Sequence, residues 1–243
     1  MSQRPRTGAL LHEIACEMAS FAENSSMIEL IQFPWSPFCL PTRRILEFSG
    51  EKFKIINVPP QERDFVWKLT KQKYYGVPTL RDGRKIIFDD TDDHQIVAKY
   101  IDTKLKLGLF PVDREGVQSL LWRHIENEIE GCTFRLNDSH YKEFVKPAEQ
   151  LLYLRFKERK FGRGCIDQWY RDQKIWQQKL EAALAPYEQM LAHSEFLLDA
   201  RPLFVDFDLF GMLQNFLYSG HYKLPKSRPH IRRWYARMKT VRH

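Results

Sequence analysis

The sequence predicts two parts, a small α/β sheet domain followed by an all-α helical domain, and three observations carry that prediction. Short apolar runs suited to buried strands alternate with helical periodicity as far as Leu105. Strand signal nearly vanishes after Gly108-Leu109-Phe110-Pro111. The 243 residues, 43% hydrophobic and 14% aromatic, are material for one large core or two modest ones. The expected organisation is an extension over 1–26, the α/β domain over 27–105, a linker over 106–112 and the helical domain over 113–243.

Each element has its own warrant. In the extension, Leu11, Ile14, Ala15, Met18 and Ala22 fall at helical spacing and Asn24-Ser25-Ser26 breaks the pattern, giving a tail that packs on the body or on a partner subunit, with plain disorder as the alternative. Ile28 to Phe33 reads as a buried strand, a helix follows to Phe48, and Ser49-Gly50 stops it. Phe53 to Val58 is a second strand, Pro59-Pro60 breaks it, and Glu62 to Lys71 is a helix. Pro78 to Arg81 and Lys85 to Phe88 flank Asp82-Gly83, the dipeptide of a tight hairpin, and Asp92 to Leu105 closes the unit as a helix. The order βαβ then ββα describes a small sheet with helices on both faces. In the second part, Asp113 to Glu130 carries Val117, Leu120, Leu121, His124, Ile125 and Ile129 on one face; Ile166 to Ala192 and Phe204 to Tyr218 are further long helices.

Composition excludes several classes. Apolar runs fall far short of the roughly 20 residues a membrane span needs, no secretory signal is visible, and Glu13, Glu17 and Glu23 count against a transit peptide, so a cytosolic protein that does not engage membranes is expected. Cys16, Cys39, Cys132 and Cys165 lie far apart without metal-ligand spacing, which predicts reduced thiols and no metal. The net charge of +7 and the runs Arg155 to Arg163 and Lys223 to Arg242 raise nucleic-acid binding, but Trp234, Tyr235 and Met238 are spaced as a buried stripe with Arg232, Arg233 and Arg237 on the exposed side. A solvated helix face, with a mild pull on anionic substrates and no nucleic acid, is the reading adopted.

Three places carry candidate chemistry. Ser36-Pro37-Phe38-Cys39 stands at the first strand-to-helix junction, where free N–H groups and the helix dipole favour an anion. Making a thiol mostly anionic at neutral pH takes a drop of about two pKa units, roughly 2.7 kcal/mol, which a serine hydroxyl and a helix N-terminus can supply together. The plainer reading makes Ser36 an N-cap with Pro37 at the first helical position; Pro41 then argues that the helix proper starts near Cys39. Val77-Pro78, after Tyr74-Tyr75-Gly76, is either an ordinary trans proline at a strand start or a cis bond that turns the Val77 backbone outward to pair with a peptide-like ligand. Asp89-Asp90-Thr91-Asp92-Asp93-His94 precedes a helix, where acids either cap the helix or meet a ligand ammonium group.

Together these pieces resemble the N-terminal, thioredoxin-like domain of the glutathione S-transferase superfamily over Ile28 to Asp102: the S-P-F-C start, Val77-Pro78, Asp82-Gly83 and the Val97-x-x-Tyr100-Ile101 ending. In the helical half, Arg201 to Gly211 resembles the family's buried helix start around an aspartate, here Asp206, although Leu203 stands where a hydroxyl residue usually caps. The resemblance implies glutathione as co-substrate. It places Ser36 in the slot that activates the glutathione sulfur, Phe38 beside it, Val77 on the tripeptide backbone, Pro78 as the cis proline, and Asp93-His94 at the γ-glutamyl group. His94 departs from the family's small hydroxyl residue. It further implies a homodimer and a small hydrophobic electrophile held between the domains, with Trp122 on the pocket wall. Two alternatives stay open: a glutathione-dependent thiol reductase using Cys39, whose thiol otherwise packs as a small hydrophobe, and a non-catalytic binding protein.

Overall fold

A computed structural model describes residues 27–60, 63–90 and 95–243. The extension expected over 1–26 lies outside the described residues. The first half contains β1 (Ile28–Gln32), α1 (Cys39–Ser49), β2 (Phe53–Asn57), α2 (Asp64–Leu69), β3 (Thr79–Asp82), β4 (Lys85–Phe88) and α3 (Ile96–Leu105). The sheet order is β2-β1-β3-β4, with β1 parallel to β2 and the other two pairs antiparallel. β1 is central, which is why Ile28, Leu30 and Ile31 are buried with no polar alternation. The hairpin is closed by the pair Asp82↔Lys85, leaving Gly83-Arg84 as a two-residue loop. Gly83 has φ 59°, the conformation that the first loop position of such a turn demands and that a side chain disfavours.

The second half is helical: α4 (Glu115–His124), a π turn (Ile125–Ile129), α5 (Glu130–Asp138), a short 3-10 turn (Tyr141–Glu143), α6 (Pro147–Phe161), α7 (Cys165–Arg171), α8 (Gln173–Ala183), α9 (Ala185–His193), α10 (Phe204–Leu217) and α11 (Pro229–Thr240). Three expectations are corrected here. The helix from Asp113 runs on through the π turn to Asp138, and its face is not uniformly buried: Ile125 and Ile129 are inside, whereas Val117 and Leu120 are exposed. The single helix expected over Ile166 to Ala192 is three helices, interrupted at Asp172 and at Leu184, with Pro186 in the first turn of the last. α6 was hidden in a basic run because Leu151, Leu152 and Phe156 are exposed and give no clean stripe.

α10 is buried almost all round and joins the two halves into one core, in which Leu30, Ile45 and Leu80 meet Phe207, Phe210 and Leu213. Its Gly211 is required by close approach: a Cβ there would lie 2.3 Å from the Pro41 ring of α1. The expected proline inside the first helix thus faces a glycine that makes room for it. Asn215 of α10 donates to the Trp35 carbonyl at 2.7 Å, and Arg44 of α1, 2% exposed, donates through Nε to the Met238 carbonyl at 2.6 Å. At the start of α10, the fully buried Asp206 accepts N–H bonds from Leu203 and Leu197, both at 3.0 Å, and from the Trp234 indole at 2.9 Å. Leu203 has no side-chain acceptor, so the reciprocal bond runs from the Asp206 N–H to the Leu203 carbonyl at 3.0 Å.

Candidate functional site

One row of the sheet organises the candidate site. Ile31 of β1 pairs with Thr79 of β3, and Thr79 pairs with Phe88 of β4. The residues just beyond that row, Ser36 after β1, Val77-Pro78 before β3 and Asp89-Asp90 after β4, are thereby carried to the same edge. It is also the C-terminal edge of the parallel β1/β2 pair, where ligands of α/β sheets collect.

Ser36 is recessed, 6% exposed. Its Oγ accepts the Cys39 N–H at 3.3 Å and its carbonyl accepts the Leu40 N–H at 3.1 Å, so the side chain caps α1 from one turn outside, with Pro37 next. A serine hydroxyl has two lone pairs and one hydrogen, and capping consumes only a lone pair; the hydrogen, directed at the Cys39 sulfur, can turn to an anion at the helix N-terminus. The Val77-Pro78 bond is cis.

Cys39 begins α1 and is fully buried. Burial pushes its thiol up to about 12; hydrogen bonds from Ser36 and the Phe33 backbone, and the nearby Arg63 charge, pull the other way without cancelling it. A nucleophilic thiol needs a depressed value. The thiol sits against the Ser36 hydroxyl and packs as a small apolar group.

Two residues at this edge escaped the sequence reading. Arg63 lays its guanidinium 4.4 Å from the Phe33 ring centroid, and donates to the Pro60 carbonyl at 2.6 Å and the Tyr75 carbonyl at 3.2 Å. Burial holds it below its ordinary value, opposed by Cys39, Tyr74 and Tyr75. Tyr74 stacks on Phe88 with centroids 5.0 Å apart, and its hydroxyl is pushed up to about 12, by burial first and then by Asp89 and Cys39. These mutual fields put Arg63, Tyr74, Cys39 and Asp89 in one neighbourhood. The available signal was positional: Arg63 follows the Pro59-Pro60 break at the C-terminal end of β2, a parallel strand.

The third wall is described in part. Asp89, 6% exposed, accepts the Val97 N–H at 2.9 Å and so caps α3 from eight positions upstream. Asp93 and His94 lie outside the described residues. Phe38 and Trp122 are half-buried and pack against the main core. The Trp122 side chain hydrogen-bonds Glu126 on the π turn. Burial pushes Glu126 and Glu130 up to about 7, and Glu126 feels the further repulsion of Glu130. Asp208 of α10, 3% exposed, is driven well above its ordinary range by burial and then by those two glutamates, and its Oδ2 has no hydrogen-bond partner among the described residues. Since Asp89 also acts on Glu126, this acid cluster borders the sheet-edge site from the helical side.

Comparison with known proteins supplies the family. The model of the glutathione S-transferase N-terminal domain matches residues 30–102, and that of the glutathione S-transferase C-terminal domain matches residues 148–237. The chain belongs to the glutathione S-transferase superfamily. Among solved structures, glutathione transferase GSTFuA3 from Phanerochaete chrysosporium superposes with a TM-score of 0.76 at 17% identity, covering 89% of this chain and 97% of that one. Glutathione S-transferase CsGST83044 of Ceriporiopsis subvermispora, solved in complex with glutathione, gives 0.71 at 17% identity, with 88% and 97% covered. CsGST63524 of the same organism, also with glutathione, gives 0.73 at 16% identity, with 89% and 99% covered. At such identity the likeness of this superfamily member to these transferases is one of fold. No curated protein sequence matches it.

Proposed function

We propose that the protein joins the thiolate of glutathione to a small hydrophobic electrophile, with Ser36 as the residue that stabilises the thiolate. The observation that carries the reading is the convergence of the Ser36 hydroxyl, the cis Val77-Pro78 bond and the Asp89 turn at one sheet edge, in a superfamily member whose solved relatives include glutathione complexes. Glutathione lies along β3 with its cysteinyl amide and carbonyl paired to the Val77 backbone, as an added strand pairs. Its sulfur faces Ser36 and the α1 N-terminus; the hydroxyl hydrogen and the dipole favour the anion while the thiol proton passes to water. Arg63 adds positive potential at the same edge, and Asp93 with His94 takes the γ-glutamyl ammonium group. The thiolate forms a C–S bond to an electrophile seated between the domains beside Phe38 and Trp122 while the electrophile's leaving group, halide in the test substrate, departs with its bonding pair, and the rate comes from thiolate formation and proximity.

Ser36 is preferred to Cys39 as the working group because burial moves the Cys39 thiol away from ionisation. The protein functions in the cytoplasm as a homodimer, and the exposed Val117 and Leu120 on α4 and Leu151 and Leu152 on α6 are apolar surface that a second copy covers. The test is retention on immobilised glutathione together with turnover of an activated aryl halide. Binding with a Ser36→Ala loss of about 10- to 100-fold in kcat/KM supports conjugation. Absent binding and an unchanged Ser36→Ala rate sink it, and loss of disulfide reduction in Cys39→Ser would revive the reductase alternative.

A further inference from the structure

The helical domain brings His140, Glu143 and His221 together, with one ligand atom of each within 4.8 Å of the others. His140 precedes the 3-10 turn, Glu143 ends it and the loop after α10 holds His221, so no local spacing in the sequence announces the trio. The His140 and His221 rings stack with centroids 3.7 Å apart and planes inclined by 11°. His221 Nε2 lies 2.8 and 2.9 Å from the two Glu143 carboxylate oxygens.

Both ring nitrogens of His140 have partners. The Tyr222 hydroxyl donates to the Gln173 side-chain oxygen at 3.4 Å, so its lone pair receives the His140 Nε2–H at 3.2 Å. The His140 Nδ1 faces Glu143 Oε1 at 3.6 Å. A proton between them would join only that pair. A metal ion satisfies both imidazoles and the carboxylate at once. The Tyr222 hydroxyl already does what an outer partner does for a metal-bound histidine, fixing its tautomer and ring orientation.

We infer that His140 Nδ1, His221 Nε2 and a Glu143 oxygen form a binding site for a divalent transition metal of the zinc class. Two imidazoles and one carboxylate suit zinc or cobalt rather than calcium or magnesium, which want oxygen ligands. Two of the three spacings suit it: a tetrahedral site with bonds of about 2.0–2.1 Å separates its ligand atoms by about 3.3 Å, and the observed 2.8 and 3.6 Å bracket that value, whereas the stacked rings must part for both to ligate one ion. Glu143 and His221 are exposed and free to splay around the ion, while His140 is held in place. Three protein ligands leave a fourth position open toward a cavity of about 820 Å³ that is rimmed by Lys142, Lys223 and Lys226. Those lysines oppose a cation held by charge alone, which again favours imidazole ligation, and they suit an anion as the fourth ligand. The site is tied to the sheet edge, since Phe144 and Tyr218 pack on Trp35 with centroids 5.0 and 6.1 Å away.

The inference is independent of the conjugation reading, because zinc binding here needs neither Ser36 nor glutathione. The test is titration of the full-length reduced protein with Zn²⁺ by calorimetry, and with Co²⁺ by visible absorption. Expected are one high-affinity equivalent per chain, Co²⁺ bands of four- or five-coordinate intensity, and a metal-dependent rise in melting temperature. His221→Ala and Glu143→Gln, both at exposed positions, should keep the metal-free melting temperature and weaken binding by about 100-fold or more. No saturable binding, or affinity and Co²⁺ spectrum unchanged in both variants, overturns the inference.

Discussion

Two helix starts in this molecule use the same device for opposite ends. At the sheet edge, Ser36 caps α1 by accepting the Cys39 N–H and has a hydrogen that can turn from the Cys39 sulfur to a ligand. At the start of α10, Asp206 is buried outright and accepts three N–H bonds. Spare hydrogen-bonding capacity, more than burial or residue type, separates the group that can serve a ligand from the group that only holds the fold. Asp208, two residues from Asp206 and also buried, has an oxygen without a partner among the described residues and belongs with neither.

Mutations can break the comparison, in descending order of expected effect. Asp206→Ala orphans three donors in the core and should cost about 3–5 kcal/mol by urea denaturation, enough to leave little folded protein; a loss under about 1 kcal/mol would mean that Asp206 is not the strut described here. Gly211→Ala joins the two regions, because its methyl must push Pro41 away from α10. It should cost about 1–3 kcal/mol and also lower kcat/KM, since Pro41 lies in the helix that Ser36 caps. Ser36→Ala should separate the two roles, with a stability loss of only about 1 kcal/mol and a rate loss of 10- to 100-fold, so about 1.4–2.7 kcal/mol in the transition state. Equal losses in both measurements would make Ser36 a cap and nothing more.

The smallest effect concerns pH. Glu126 and Glu130 have folded values near 7, above the ordinary glutamate value of the unfolded chain, so the folded state holds more protons in between. Their contribution is therefore full below about pH 4 and is lost as pH rises through 7. Glu126→Gln should flatten this decline by about 1 kcal/mol between pH 5 and 8, read from denaturation midpoints. A wild-type stability that rises across that window would remove the buried-acid account.

The legibility of the site follows the same division. Ser36, Val77-Pro78 and Asp89 could be found in the sequence because each is a local signal at a strand end, and strand pairing then brings them together. Arg63 has only its position after the β2 break to mark it and Tyr74 has no mark at all, because both look the same whether or not they face Cys39. The buried acids were equally silent: no local pattern groups Glu126, Glu130 and Asp208 until α10 packs against the π turn.

The sequence by itself determined the order of elements, the helical second half and the places where chain reversals expose polar groups, since those depend on apolar period and turn chemistry over a few residues. Tertiary structure alone decided which of those groups keep spare bonding capacity. Capacity depends on partners far away in the chain, such as Trp234 for Asp206 and Tyr222 for His140, and no local pattern records them. For the same reason the His140, Glu143 and His221 trio exists only once α10 has turned its end toward the 3-10 turn.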